Sequence, residues 1–155
     1  MNKKIWKRSM QILGLIIILG MGVFSHKGNK SQKMVFNRFQ DPNSLADCPD
    51  KPNCVSSFVA PSDSHYIAPL TMQVFNKEPI IKAIESIGCQ AKTNDDNYLH
   101  FECVSNFFKF TDDLELLYSV DKKTLHFRSA SRVGHSDLGA NEKRVNKIKD
   151  LLSNL

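Results

Sequence analysis

The sequence predicts an α+β fold: an antiparallel sheet of about four to five strands with helices packed on one side, preceded by an N-terminal hydrophobic segment. Three patterns predict it. Residues 10–24 (MQILGLIIILGMGVF) carry no charge. Short β-rich runs punctuated by turn residues fill 89–131. Apolar residues at helical spacing flank those runs on both sides, over 80–87 and 145–155. Helix, hairpin-linked strands, helix is the order of an antiparallel sheet covered by helices.

The chain has 155 residues, 41% of them apolar, which fits one domain with a short appendage and excludes a multidomain enzyme, a repeat array and a disordered polypeptide. Its net charge of +5 is mostly a leader property, because Lys3, Lys4, Lys7 and Arg8 lie in the first eight residues. From residue 26 onward 17 basic residues face 16 acidic ones. A nucleic-acid face needs a basic stripe on the folded part, and none is dense enough, so no nucleic-acid partner is expected.

Residues 1–25 read as a signal peptide or an N-terminal membrane anchor. A basic start precedes the uncharged run, whose fifteen residues span roughly 22 Å, short of the hydrocarbon core. Val23-Phe24-Ser25 offers a cleavage point after Ser25. Lipidation would need a Cys directly after the apolar run, and the first is Cys48. In either reading the basic end stays in the cytoplasm and the rest is exported to the cell envelope. Residues 26–44 read as a polar tether and 45–155 as a single globular domain.

Within that domain, 48–73 is rich in Pro, Ser and Asp and is expected to wrap the surface. Lys77-Glu78-Pro79 opens a helix that Gly88 closes, with Ile80, Ala83, Ile84 and Ile87 as its buried stripe. Strands follow at 89–94, 98–104, 107–110, 114–120 and 124–131. The last element, 139–155, places Val145, Ile148, Leu152 and Leu155 on one face, with Lys143, Arg144 and Lys147 opposite and Asp137 or Asn141 as caps.

Export permits disulfides, and Cys48, Cys54, Cys89 and Cys103 are the candidates. Asp95-Asp96-Asn97 is turn chemistry, and a three-residue loop there sets Cys89 opposite Cys103. A cross-strand disulfide and two packed thiols both fit that placement. Cys48 and Cys54 bracket C-P-D-K-P-N-C; closing this ring would contribute about 2 kcal/mol. A metal held by these cysteines and His65 lacks the second ligand pair that structural zinc favours. C-x-x-C is absent, so a redox dithiol is not expected either.

Residues 111–144 concentrate polar groups: Asp112, Asp113, Glu115, Arg128, Ser129, Ser131, Arg132, His135, Ser136, Asp137 and Asn141. A two-residue turn at Lys122-Lys123 sets Leu116 opposite Ser129, Tyr118 opposite Phe127 and Val120 opposite Leu125. The other face then carries Asp113 opposite Arg132, with Glu115 diagonal to Arg128 and Arg132. One reading is an acid–arginine ladder that neutralises itself. The other is a ligand site for a small anion or carboxylate, or an envelope partner, built from Asn53, Ser56, Ser57, Asp113, Arg128, Ser129, Arg132 and Asp137. The two arginines are about 13 Å apart on an extended strand and can share a small ligand only if the chain bends there.

Catalytic residues are not expected. Ser136, His135 and Asp137 are chain neighbours, and triad groups must converge from different directions. G-x-S-x-G, G-x-x-x-x-G-K-[ST], H-E-x-x-H and EF-hand loops are absent, so neither a cofactor nor a metal is expected. His100 and His126 read as ordinary packing or surface residues. The enzyme alternative is an envelope hydrolase or transferase using Asp113, Arg128 and Arg132; a purely structural domain is the third reading.

Two blocks carry a resemblance. Cys48-Pro49-Asp50-Lys51-Pro52-Asn53-Cys54-Val55-Ser56-Ser57 with Ile67-Ala68-Pro69-Leu70 opens it. Asp112-Asp113-Leu114-Glu115 and Arg128-Ser129-Ala130-Ser131-Arg132-Val133-Gly134-His135-Ser136-Asp137-Leu138-Gly139-Ala140-Asn141 close it. Together they resemble the domain-of-unknown-function 1499 family, small proteins of bacteria and chloroplast-bearing plants, over about residues 45–152. The family usually has an aromatic residue where His135 stands and a basic one at Glu142, which argues against catalysis by His135. The resemblance implies domain limits and weight for the two blocks; it implies no reaction.

Overall fold

The computed structural model describes residues 3–153. Leu155, expected on the apolar face of the last helix, lies outside the described residues. The elements in chain order are α1 (Lys3–Gln32), β1 (Cys54–Ser56), β2 (Leu70–Thr71), α2 (Lys77–Glu85), β3 (Cys89–Asn94), β4 (Tyr98–Val104), β5 (Thr111–Ser119), β6 (Thr124–Ser131) and α3 (Ala140–Leu152). The sheet runs β1-β6-β5-β4-β3, with β2 sharing the outer edge of β6, and all these pairs are antiparallel. The expected α+β architecture is present. Two short strands, β1 and β2, fall within the segment expected to be irregular; they pair with the exposed edge of β6 and have no pattern of their own.

Alternation along the strands separates two faces. Leu99, Phe101, Leu114, Leu116, Tyr118, Leu125 and Phe127 point to one, where α2 adds Ile80 and Ile84 and α3 adds Val145, Ile148 and Leu152. This is the main core, and both helices contribute to it. Gly88, at φ 90°, takes the left-handed position that stops α2. Asp137 caps α3: its Oδ1 accepts from Gly139 N–H and its Oδ2 from Asn141 N–H.

The opposite face carries His100, Glu102, Asp113, Glu115, Arg128 and Ala130, with Tyr98 and Leu117 joined by Leu45 in a small apolar cluster. Residues 33–47 lie over it as a strap. The Phe36 ring stacks on His100 at 3.8 Å, and the Arg38 guanidinium sits 3.8 Å from the Tyr98 ring centre. Residues 26–32, read from sequence as part of a tether, are the last turns of α1. They dock on the domain: Ser31 is buried, and its Oγ accepts from Thr111 N–H at 3.0 Å. A Cβ on Gly28 would lie 1.6 Å from the Phe108 carbonyl oxygen, so no larger residue fits this approach.

Two strand assignments need correction. Phe107–Phe110 is a turn, because Lys109 adopts φ 58° and Ser105 closes the loop through N–H to the Phe110 carbonyl at 2.8 Å. The β5–β6 register is shifted by two residues, giving Leu116 opposite Phe127, Tyr118 opposite Leu125 and Leu114 opposite Ser129. The hairpin closes through Val120–Lys123, with Lys123 at φ 48°. A two-residue turn would need positive φ at both lysines, which favours Asn or Gly. A shift of two keeps each side chain on its expected face.

Cys89 faces Cys103 as expected, and they form a disulfide, S–S 2.04 Å. Cys48 and Cys54 form the other, S–S 2.02 Å, so these sulfurs are spent on each other rather than on a ligand. A register shift between Ala91 and Thr93 re-aims the end of β3. Replacing Cys89 and Cys103 together by Ala is expected to cost about 3 kcal/mol from loop entropy, measured by urea unfolding of the full chain in detergent.

Candidate functional site

The polar residues around the ends of β5 and β6 form two networks, one on each face of the sheet. On the strap face, Arg132 Nε donates to Asp113 Oδ2 at 2.8 Å and Nη2 to Asp113 Oδ1 at 2.7 Å. Nη2 also reaches Glu102, while Nη1 donates to the Met34 carbonyl at 2.7 Å and lies 3.4 Å from that of Ser31. His100 Nε2 completes the shell of Asp113 at 2.8 Å, and Lys92 pairs with Glu102 at 3.0 Å. One strand repeat further, Glu115 accepts from Arg128 Nη1 at 2.8 Å and Tyr98 O–H at 2.9 Å. Arg128 Nη2 lies 3.4 Å from the Asp47 carbonyl, and its Nε is buried without a partner among the described residues.

The expected acid–arginine ladder is therefore present, with altered partners. Glu115 stands directly opposite Arg128, Asp113 opposite Ala130, and Arg132 reaches Asp113 diagonally. Burial alone would raise the Asp113 carboxyl, but the bonds from Arg132 and His100 outweigh it and hold it below the ordinary value. Glu102 follows the same balance, burial opposing and the Arg132 and Lys92 bonds prevailing. The Asp113 bonds raise Arg132. Burial, then the charge of Glu115, raises Tyr98, which stays a neutral donor.

On the helix face, Asn141 is the hub. Its Oδ1 accepts from Ser129 Oγ and Arg144 Nη1, each at 2.6 Å. Its Nδ2 donates to Asp137 Oδ2 at 2.7 Å, the Asn53 carbonyl at 3.0 Å and Ser131 Oγ at 3.1 Å. Arg144 then pairs with Asp112 at 2.6 Å, so it faces the network and not the solvent side expected for it. Asn53 Nδ2 donates to the Gly134 carbonyl at 3.0 Å. These bonds tie the first block to the second, as does the β1–β6 pairing of Cys54 with Ala130 and Ser56 with Arg128.

Ser56 and Ser57 turn the chain at the sheet edge. Ser56 Oγ accepts from Phe58 N–H at 3.1 Å. Ser57 Oγ accepts from Phe127 N–H at 2.8 Å and lies 3.3 Å from His126 Nδ1. Burial lowers the pKa of His126, leaving it neutral near pH 7. Ser57 and His126 resemble a nucleophile and its base in types only. No carboxylate orients the second ring nitrogen among the described residues, and the Ser57 oxygen is held in the β1–β6 edge.

The eight sequence-predicted residues thus do not converge. Asp113, Arg128 and Arg132 line a cleft of about 240 Å³ with Met34, Phe36 and Ala46 under the strap. Asn53, Ser129 and Asp137 lie in the Asn141 network, and Ser56 and Ser57 brace the edge. Sequence reasoning missed Tyr98, His100, Glu102 and Arg144. For the first three, the signal was their alternation along β4, which aligns them with Glu115 and Asp113 once the hairpin is drawn. A wider groove of about 600 Å³ between β2, Val74 and α2 contains none of these residues.

A match to the family described as "Protein of unknown function (DUF1499)" spans residues 44–152. No curated protein and no solved structure matches the chain.

Acid is expected to destabilise the fold in two stages. The contribution of His126 is complete above its ordinary value of 6.5 and is lost as pH falls through its lower folded value. That of Asp113 is complete above 3.8 and is lost as pH falls further, through its own depressed value. Thermal unfolding from about pH 8 to about pH 2, in about one-unit steps, should show both limbs, and Asp113→Asn should flatten the lower one. Arg132→Met strands buried Asp113 without its cation and leaves Glu102 only Lys92, and should cost about 3–5 kcal/mol at neutral pH, measured by urea unfolding.

Proposed function

From the premise that this chain belongs to the DUF1499 family, we propose that it is a membrane-anchored, non-catalytic binding domain of the cell envelope. The ligand is a small polar molecule, or a partner's side chain, without net charge. The anchor is α1, whose segment Arg8–Gln32 is long and apolar enough to cross a membrane and has none of its apolar stretch buried. Cleavage after Ser25 would leave Gly28 and Ser31 on the domain but remove Phe24, whose ring packs against Phe108 and Phe110; that contact supports a retained anchor over a removed signal. Two disulfides agree with an oxidising side of the membrane.

One observation carries the binding assignment. The cleft under the strap is lined by Asp113, Glu115, Arg128 and Arg132, two acids and two arginines that are bonded to one another. An incoming anion meets guanidinium groups already engaged and two carboxylates beside them, so the anionic ligand expected from sequence is disfavoured. A neutral or zwitterionic group is matched by the balanced lining. At about 240 Å³ the cleft is smaller than a typical drug-sized pocket.

The enzyme alternative has less support. Arg132 holds Asp113 and Glu115 holds Arg128, so each of the three residues that reading needs is already engaged, and the Ser57–His126 contact lacks an orienting acid among the described residues.

Thermal-shift titration of the full chain in detergent, with small zwitterions, neutral polyols and inorganic phosphate, tests the assignment. A saturable rise with a zwitterion or polyol, lost in the cleft-filling variant Ala46→Leu, is expected. No saturable rise, or one from phosphate that survives Ala46→Leu, would count against it. Labelling by a fluorophosphonate probe that disappears in Ser57→Ala would instead favour a hydrolase.

A further inference from the structure

The inference rests on the reading of α1 as a retained anchor and adds how the domain stands on the bilayer. Along α1 the uncharged run ends at Phe24, and the first formal charges after it are Lys27, Lys30 and Lys33, all exposed. The apolar–polar boundary of the membrane therefore falls between Phe24 and Lys27. The β4–β5 loop meets the helix at that height. The Phe108 ring lies 5.1 Å from that of Phe24 and the Phe110 ring 6.3 Å from it. One turn later, Gly28 admits the Phe108 carbonyl, and Ser31 accepts from Thr111 N–H. These contacts fix the level of the loop relative to the helix.

The loop is also closed on itself. Ser105 N–H donates to the Phe110 carbonyl at 2.8 Å, and Phe110 N–H to Ser105 Oγ at 2.9 Å. At its tip Phe107 is 73% exposed, standing edge-on to Phe108 at 4.8 Å. A phenyl ring held out on a rigid turn beside the end of a membrane helix offers apolar surface of the kind that Trp, Phe and Leu bury at the headgroup boundary. The charges agree. No acidic residue occurs in 1–40 or 103–111, while Lys27, Lys30 and Lys33 are exposed along the helix end and its exit and Lys109 is exposed in the loop itself. Such a basic collar is complementary to anionic headgroups. The uncharged run covers roughly 22 Å of a core about 30 Å thick, and aromatic side chains at its outer end relieve part of that mismatch.

We propose that the Phe107–Phe110 loop inserts into the headgroup layer of the membrane spanned by α1, on the non-cytoplasmic side, with its lysine collar on anionic lipid. The turn at Val120–Lys123 lies at the other end of β5, roughly 27 Å of extended strand away, and stands clear of the bilayer.

The test uses the full chain in vesicles of phosphatidylcholine with phosphatidylglycerol. Trp6 is the single native tryptophan and is replaced by Phe. Phe107→Trp then reports on the loop and Val120→Trp, at a position 67% exposed, on the far turn. The tryptophan at 107 should emit at shorter wavelength and be quenched roughly twofold by a nitroxide lipid labelled near the headgroup, while that at 120 is unaffected. Equal quenching at the two positions overturns the inference. Quenching at 107 that is unchanged when phosphatidylglycerol is omitted overturns its anionic-lipid part. Flotation after alkaline extraction separates the two levels: a chain that floats with an unquenched position 107 sinks the loop inference alone. A chain that does not float sinks the anchor reading and this inference with it.

Discussion

Arg132 leaves β6 just past its last paired residue, and its guanidinium reaches acceptors on four segments: Asp113 of β5, Glu102 of β4, the Ser31 carbonyl in the last turn of α1 and the Met34 carbonyl in the strap. The Ser31 carbonyl lies at the negative end of the helix dipole. A cation there is favourable, and a planar fork can satisfy several such acceptors where an ammonium cannot. Burying this charge costs several kcal/mol unless its shell is complete, and the shell is complete only with β4, β5 and the α1 terminus in place. The position of the apolar helix on the domain follows from that constraint, together with the Gly28 approach to Phe108.

The two faces of the sheet solve different problems. The helix face is an ordinary apolar core, sealed at one edge by Asn141, which satisfies Ser129, Ser131, Asp137 and the Asn53 carbonyl from a single side chain. The strap face buries ionised groups in alternating rows along β4, β5 and β6, so each carboxylate has a cation or a neutral donor beside it. The two sequence blocks are thereby explained as parts of one ladder: β1 lies on β6, and their side chains lock both faces. Groups that look like catalytic currency in the sequence are engaged in holding these layers together, which is why the binding assignment rests on the cleft they line.

Much of the fold was legible because local chemistry and tertiary packing agree there. Ile80, Ile84 and Gly88 define α2, and Val145, Ile148 and Leu152 define α3. Cys89 faces Cys103 as expected, but Asn94 pairs with Leu99 at the turn, and the register shift between Ala91 and Thr93 sets the cysteines opposite one another. Elements whose cause is non-local were not legible. β1 and β2 exist only as additions to the β6 edge, and Phe107–Phe110 looks β-rich but is shaped by Lys109 and the helix it meets. The β5–β6 register moved by two because a lysine pair is a poor two-residue turn. Within the site, the pairing of acids with arginines was legible in kind. Its partners were not, since they depend on that register and on His100 and Glu102 from β4. The role of residues 26–32 was hidden entirely, because polar composition gives no sign that Ser31 is buried beneath a neighbouring strand.

Hydrogen exchange of the full chain in lipid nanodiscs tests the Arg132 constraint most directly. With Arg132→Met, amides from Ser31 to Phe36 and that of Thr111 should exchange roughly tenfold faster than in the wild type, while those of α2 change much less. Unchanged protection of the α1 end and the strap would contradict the account, because it would mean that this segment is held to the sheet without the guanidinium.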